Sequence, residues 1–529
     1  MVFSTEKETE YSFSIQELLY YAFLICTMGA KALGLTEGQR IFSVLIALGA
    51  LCVVVKILMT QYTLVEWTLI MLLLLLGGVI YLNTHHIEAF FAILMVLGMK
   101  NVKIQRACKV ALFIWIPCFI LTTGLALLGF RQGFVGVQQK IGMDSAIIRY
   151  SLGYTHPNVL HMTFLMIVML LIYVMRPTGR RLIWTSVVLM LINIYIFLYS
   201  VSYTGVLSVT FFLGLNIYLS FRKQISKIEK GLLMAFMLVC MLFMVTIPFI
   251  VSDSVRDFLD RLVNYRLIMI QLIFKETTPS FWGHSISIKN IHGTLDCSYA
   301  YMMMYHGLVG LGLFILSMII VMVKMLKKED CEGIAMISSL TLSGVIEQYL
   351  ANLSFKNIGY FFIGDLVCNT VPKLFTEGKQ IRSWGFGREI MKLDGGEICS
   401  RISKIPASIR SIFSFKKIFF PFLGAFFLFL VTLFLFKEPG ALFFANSIGD
   451  EEATVEYIYH ESDSLFENSI IIGDAEEGTA LRKITWVDLG YEKYRICISV
   501  FVWTLFLSLC VLTISINVHR RKSINQKGE

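Results

Sequence analysis

The feature that most constrains this chain is its procession of long apolar runs broken by short basic loops. A helix that crosses a bilayer needs about 20 consecutive apolar residues. Runs of that kind occur near 14–33, 41–59, 64–82, 87–99, 110–129, 157–175, 182–200, 205–220, 232–251, 298–323, 334–351, 358–371, 418–436 and 496–516. Of the 529 residues, 56% are hydrophobic and only 16% charged, against about 25% charged in an ordinary soluble domain. The expected fold class is therefore all-α, a polytopic membrane protein with about 14 transmembrane helices. The fourth and twelfth runs are short enough to be partly re-entrant, and the turn between the seventh and eighth, near 200–205, is very tight.

Loop charge orients the spans. Lys100, Lys103, Arg106 and Lys109 follow the fourth, Arg176, Arg180 and Arg181 the sixth, Arg222, Lys223, Lys227 and Lys230 the eighth, and Lys324, Lys327 and Lys328 the tenth. A basic stretch runs from Lys373 to Lys417, and Arg520, Arg521 and Lys522 come near the end. With every run crossing once, all of these fall on one side. The positive-inside rule makes that side the cytoplasm and both termini cytoplasmic. The polar start, MVFSTEKETE, lacks the basic and apolar regions of a cleavable signal. A net charge of +9 spread over such loops gives no reason to expect nucleic-acid binding. The cysteines are scattered through the apolar runs without a CxxC pair, so neither a disulfide framework nor a metal site is expected.

The opposite face carries the chemistry-bearing residues. Two loops there, about 130–156 and 252–297, each lead into a helix running inward. A third segment, 437–495, is rich in acids: Asp450, Glu451, Glu452, Glu456, Glu461, Asp463, Asp474, Glu476 and Glu477. The expected organisation is a twelve-span core over 1–372, a basic cytoplasmic linker over 373–417, and a two-span appendix over 418–529.

The first loop contains Arg131, Lys140, Asp144, Arg149, Tyr154, His156, Asn158 and His161, within and after the string RYSLGYTHPN. Pro157 suits the first turn of a helix, so Thr155 or His156 should be its cap. A helix N-terminus beside an arginine favours an anion, and a histidine there can exchange a proton. The bland alternative is that Arg149 anchors to headgroups while His156 and Asn158 cap the helix. In the second loop, Val255, Phe258, Leu259, Leu262 and Val263 fall at helical spacing among Arg256, Asp260, Arg261 and Arg266. That is the pattern of an amphipathic helix on a membrane surface. A PSFWGHS turn follows, then Asp296 and Ser298, either of which can cap the tenth span. Arg266 reads as a phosphate or sugar contact, and Asp296 as a base, a sugar ligand or simply a cap. Inside the membrane, Glu347 is costly unless paired; it either closes a cavity or pairs with one of the external arginines, with Asn357 downstream. His306 reads as an interior hydrogen-bonded histidine.

The ordered set RYSLGYTHPN before a span, then FWGHS and LDCSYAYMMMYHGLVG, with Glu347 and Asn357 in a late span, resembles the Wzy-type oligosaccharide repeat-unit polymerases. These make capsular, exopolysaccharide or O-antigen chains. The resemblance covers about 85–372. Two positions depart from the family pattern. The turn often written Ser-Arg-Thr-Gly is SYTG here, with Tyr203 in the arginine's place, and Asp-Asn-Ser-Tyr is Asp296-Cys297-Ser298-Tyr299.

The resemblance implies en bloc glycosyl transfer on the outer face of a bacterial cytoplasmic membrane. A growing glycan on polyprenyl diphosphate is the donor, and a single repeat unit on the same lipid is the acceptor. Arg149, Asn158, Arg266, Tyr299 and Tyr203 would face the diphosphate or the sugars, and His156 or Asp296 would act as base. The expected partners are the lipid-linked oligosaccharide, the bilayer, and a chain-length regulator or flippase. No cofactor is expected, since the leaving group is already activated. Three readings compete: a lipid-linked oligosaccharide flippase or other transporter, a ligase of the same broad superfamily, and a docking role for the acidic segment. Transporters place their polar site near the midplane of repeated halves. No such repeat is visible in this chain.

Overall fold

A computed structural model describes residues 12–139, 146–263, 266–285, 295–372, 392–394, 415–435, 442–447, 458–460, 482–487 and 490–525. Lys140, Asp144, the MVFSTEKETE start, nearly all of the basic linker and the nine acids named in the third segment lie outside the described residues.

The chain divides into two units. The larger comprises Ser14–Gly133 and Ser151–Met391. Its helices are α1 (Ile15–Ala32), α2 (Arg40–Met59), α3 (Leu64–Thr84), α4 (Glu88–Leu97), α5 (Ile104–Leu127), α6 (Pro157–Met175), α7 (Arg180–Ser200), α8 (Tyr203–Ser220), α9 (Lys227–Ile250), α10 (Asp253–Leu262), α11 (Arg266–Glu276), α12 (Ser298–Tyr305), α13 (Gly307–Lys328), α14 (Cys331–Ser343) and α15 (Gly359–Asp365). The smaller unit comprises Met1–Phe13, Phe134–Tyr150 and Lys392–Glu529. It holds α16 (Phe415–Leu435) and α17 (Gly490–Asn525), together with the short strand Lys392–Asp394, which belongs to a separate two-stranded sheet, and five strands of one larger sheet: β1 (Val135–Gln139), β2 (Ala146–Tyr150), β3 (Leu442–Ser447), β4 (Ile458–His460) and β5 (Arg482–Val487).

The described chain is mostly helical, and nine of its described helices are long and apolar enough to cross a membrane. The protein is thus of the membrane-embedded, multi-pass helical class. The shorter apolar helices are α4, α14 and Pro421–Leu435 within α16.

One helix is central. In α6, 72% of the most apolar stretch is buried, whereas none of the other eight candidate spans exceeds 39%. Apolar burial between helices gains little in lipid, so close packing and internal hydrogen bonds must hold such a helix. His161, one turn into α6, shows how. Its Nδ1 lies 2.9 Å from Ser200 Oγ and its Nε2 2.7 Å from Asn193 Oδ1. Asn193 in turn donates to the Val206 carbonyl at 3.2 Å. A Cβ on Gly205 would come within 2.3 Å of the His161 ring, which explains the glycine of SYTG. The tight turn expected near 200–205 is present: α7 ends at Ser200, Val201 takes a left-handed φ of 42°, and Ser202 caps α8 by accepting from Gly205 N–H at 3.3 Å.

The tenth apolar run is broken rather than continuous. Between α12 and α13, Gly307 has φ 72°, and a Cβ there would meet Phe281 O and Gly283 N at 2.4 Å. The PSFWG turn plugs this break with its carbonyls. Leu308 N–H donates to Ser280 O at 3.0 Å and Val309 N–H to Phe281 O at 3.2 Å, and His284 N–H donates to Met304 O at 2.8 Å. Free N–H and C=O groups at helix ends need such partners, and lipid would supply none.

The eleventh run also differs from expectation. A helix over 334–351 was expected, but α14 stops at Ser343, and residues 344–358 form a non-helical connection with one 3-10 turn, Gln348–Leu350. Glu347 therefore lies on extended backbone and not inside a helix. Non-helical backbone near a membrane requires a protein lining, which the next subsection describes.

In the smaller unit the five strands of the larger sheet run in the order β1-β2-β5-β3-β4. β1 and β2 are an antiparallel pair from the first loop, β3 to β5 come from the third segment, and β2 joins β5 in parallel. A sheet that joins two distant segments at one seam is beyond an all-α expectation. Next to it, Tyr150 donates to Glu492 at 3.2 Å, and Arg495 stacks on the Tyr150 ring at 4.0 Å.

Candidate functional site

Five of the residues singled out from sequence, His156, Asn158, Arg266, Asp296 and Glu347, converge at the end of the larger unit where α6 and α12 begin. The helix α6 starts at Pro157, with His156 as its cap. The cap uses the imidazole itself: Asn158 N–H donates to His156 Nδ1 at 3.1 Å. A ring nitrogen that accepts carries no proton, so the neutral imidazole bears its hydrogen on Nε2. In this state His156 presents a donor rather than a base. The Asn158 side chain donates to Glu347 Oε1 at 3.0 Å.

Arg266 opens α11 and supplies the cation. The start of that helix is fixed by Asp260 at the far end of α10, whose Oδ1 accepts from Leu267 N–H at 2.6 Å. The amphipathic helix expected from the spacing of Val255 to Val263 is thus α10, and it serves as a mount for α11. Arg266 Nη2 lies 3.3 Å from Asp296 Oδ2 and 3.8 Å from Glu347 Oε1. Its Nη1 donates to Val263 O at 3.1 Å. Its Nε is buried without a hydrogen-bond partner among the described residues. The guanidinium is 9% exposed, Glu347 15% and Asp296 38%, so Asp296 is the carboxylate open to a substrate.

Asp296 does not cap α12. The cap residue is Cys297, whose side chain makes no capping bond, and the Asp296 carboxylate faces Arg266. Ser298 acts as a clasp: its hydroxyl donates to the Glu347 carbonyl and accepts from Leu350 N–H, while its own N–H donates to Gly344 O at 2.9 Å. The non-helical connection is therefore tied to the head of α12 over residues 344–350. Asn357 completes it, donating to Leu350 O at 2.9 Å and accepting from Gly359 N–H at 3.1 Å. Tyr299 is fully buried, and its hydroxyl donates to Thr341 O at 2.7 Å. In this arrangement it ties α12 to α14. Tyr203, the first residue of α8, is 37% exposed and stacks on Phe197 with ring centres 5.7 Å apart. Arg149 sits on β2 opposite Gly136, in the smaller unit.

Sequence reading missed Lys356. It is 3% exposed, and its ammonium donates to Val159 O at 3.2 Å, in the first turn of α6. Burial pushes its pKa down to about 7, against the pull of Glu347. Burial also raises the Glu347 carboxyl, against the pull of Arg266. The one available signal was the lysine in LSFKNIG, at the edge of an apolar stretch where positive charge is scarce. The site thus holds two cations and two carboxylates, with a histidine donor and an amide at the helix head.

Two outcomes follow from these positions. His156→Asn should keep the cap, because asparagine caps as well as any residue, whereas His156→Ala should cost about 1 kcal/mol of stability. If His156 serves as cap and donor, the asparagine variant should keep within about a factor of 100 of wild-type activity. A loss beyond about 10⁴, in protein that melts normally, would instead make it the base. Lys356 should reveal itself through pH. Between about 7 and the ordinary lysine value of about 10.4 the unfolded chain holds a proton that the folded chain lacks. Stability from this group accordingly rises with pH across that window. Melting temperatures in detergent from pH 7 to 9 should rise for the wild type relative to Lys356→Met; parallel curves would refute a depressed lysine.

Comparison with protein-family models, curated proteins and solved structures finds no match to this chain.

Proposed function

We propose that this protein polymerises lipid-linked oligosaccharide repeat units into a surface polysaccharide, by en bloc glycosyl transfer from polyprenyl diphosphate on the outer face of a bacterial cytoplasmic membrane. The observation that carries the reading is Arg266, buried between Asp296 and Glu347 at the head of two helices, with one guanidinium N–H still unused. In the absence of substrate the arginine neutralises the two carboxylates. A diphosphate brings more negative charge and a geometry that the guanidinium fork matches better. As Arg266 turns to the diphosphate, Asp296 is released. It is then the exposed carboxylate beside the reacting centre and can take the proton of an acceptor hydroxyl.

The acceptor oxygen attacks the anomeric carbon of the donor, the bond from that carbon to the diphosphate oxygen breaks, and polyprenyl diphosphate departs with the electron pair. Arg266 and the Nε2–H of His156 stabilise the charge that develops on the leaving group. Glu347, held by Asn158, and Lys356 fix the connection on which this geometry depends. Tyr203 is assigned to the diphosphate or the glycan; Arg149 belongs to the smaller unit and is given no part in this centre. A chain-length regulator or flippase is the protein partner this activity would call for.

A transport or ligase role makes different demands. Deleting the gene for a flippase should trap single lipid-linked units on the cytoplasmic face. Deleting that for a polymerase should leave single units on the outer face, accessible to an impermeant glycosidase in intact cells. Finding the units protected from the enzyme would refute the polymerase reading. Finding full-length glycan that is merely not attached to its final acceptor would favour a ligase.

A further inference from the structure

A second polar cluster lies where the turn between α3 and α4 meets the break between α12 and α13. None of its members takes part in the chemistry above. Glu88, the first residue of α4, is at its centre. Its Oε1 faces His86 Nδ1 at 3.2 Å and accepts from the Tyr301 hydroxyl at 3.2 Å. Four rings surround the carboxylate. The His86 and Tyr305 ring centres are 4.4 Å apart, Tyr305 and Tyr301 4.5 Å, and Tyr301 and His306 6.5 Å.

Two atoms in this cluster stand out. Glu88 Oε2 and His306 Nε2 are buried and have no hydrogen-bond partner among the described residues. Glu88 and His306 are each 7% exposed and sit within electrostatic reach of each other. A carboxylate oxygen and an imidazole nitrogen orphaned together carry a substantial desolvation cost, which a hydroxyl-bearing guest would relieve. Among the described residues, His306 Nε2 thus lacks the interior partner expected for this histidine. Above the cluster the rings become accessible. Tyr305 and His86 are half-buried, and the turn that plugs the helix break carries Phe281 and Trp282 into the open. A Cβ on Gly283 would meet Thr84 Cγ2 at 2.8 Å and Tyr305 O at 2.6 Å, which places that turn directly against both helices.

We propose that this cluster is a saccharide subsite, taking one pyranose ring of the glycan. The apolar C–H face of a sugar suits the electron-rich faces of Tyr305 and Trp282, and its hydroxyls suit Glu88 Oε2 and His306 Nε2, which are reached when the half-buried His86 and Tyr305 rings move aside to admit it. The subsite rests on the polymerase reading for its substrate. Its role is to hold a glycan away from the diphosphate, so that binding energy from a remote sugar positions the reacting one.

The test uses the full chain in nanodiscs and the repeat-unit oligosaccharide freed from lipid by mild acid. Titration calorimetry should give saturable binding for the wild type. Glu88→Gln keeps the shape but loses the charge and should weaken binding about tenfold or more. Trp282→Ala, a change on an exposed turn, should weaken it as well. Arg266→Ala should leave it within about threefold, because the probe has no diphosphate. Wild-type affinity in both Glu88→Gln and Trp282→Ala, or no saturable binding by the wild type, overturns the subsite. Long glycan made in cells by Arg266→Ala, alongside lost binding in Glu88→Gln, would keep the subsite and overturn the assignment of the polymerase centre.

Discussion

Replacing Arg266 with alanine is expected to abolish high-molecular-weight glycan in cells that still make and export the repeat unit. The guanidinium is 9% exposed and faces Asp296 and Glu347. Removing it withdraws the proposed leaving-group cation and leaves the buried Glu347 without this counter-charge. Breaking a buried pair in this way costs about 3–5 kcal/mol, so the protein level in the membrane must be measured alongside. Arg266→Lys separates the two losses. It restores the charge without the planar fork, so it should recover membrane abundance while glycan output stays at least about tenfold down. Wild-type chain length from the alanine variant, with normal abundance, would remove Arg266 from the mechanism.

The second large effect concerns Asp296. Changing it to asparagine keeps the volume and a hydrogen bond to Arg266 but removes the group assigned to take the acceptor proton. A positioned base contributes about 10²–10⁴ in rate, so polymer formation in membrane vesicles should fall by that range. Stability should change little, since Asp296 is 38% exposed and an exposed pairing contributes at most about 1 kcal/mol. A fall below tenfold would return the base role to His156 or to a group outside the five that converge. The contrast with His156→Asn then becomes diagnostic, because the cap geometry assigns the larger loss to the aspartate.

How much of this was legible in the sequence differs from residue to residue, for physical reasons. Pro157 fixed the start of α6 to the residue, because proline belongs in a first turn; the helix runs Pro157–Met175 with His156 as cap. The tight turn after Ser200 was equally readable. Arg266 and Asp296 were singled out separately, but nothing in a string of letters could say that they meet. Their pairing depends on Asp260 bending the chain from α10 into α11. Glu347 was read as helical because its neighbours are apolar, yet apolar composition does not distinguish a helix from a connection buried by protein. Ser298, Leu350 and Asn357 hold that connection through long-range hydrogen bonds. Lys356 escaped notice because a lone lysine near a span usually reaches for the headgroups. The sheet of the smaller unit was hidden for another reason: its strands are short and come from segments hundreds of residues apart.

That last separation has a consequence for how the molecule is made. Tyr150 and its partner Glu492 are 342 residues apart, and β2 pairs with β5 just before Glu492. At about 5–20 residues per second, the ribosome needs roughly 20–70 s to travel that distance. Throughout this interval the nascent β1–β2 hairpin exists with its inner edge open, on a chain whose later helices are still being inserted. An open strand edge is a template for any extended segment that passes. A segment made late therefore completes one made much earlier, and a chain that stops short of β5 leaves that edge permanently unsealed.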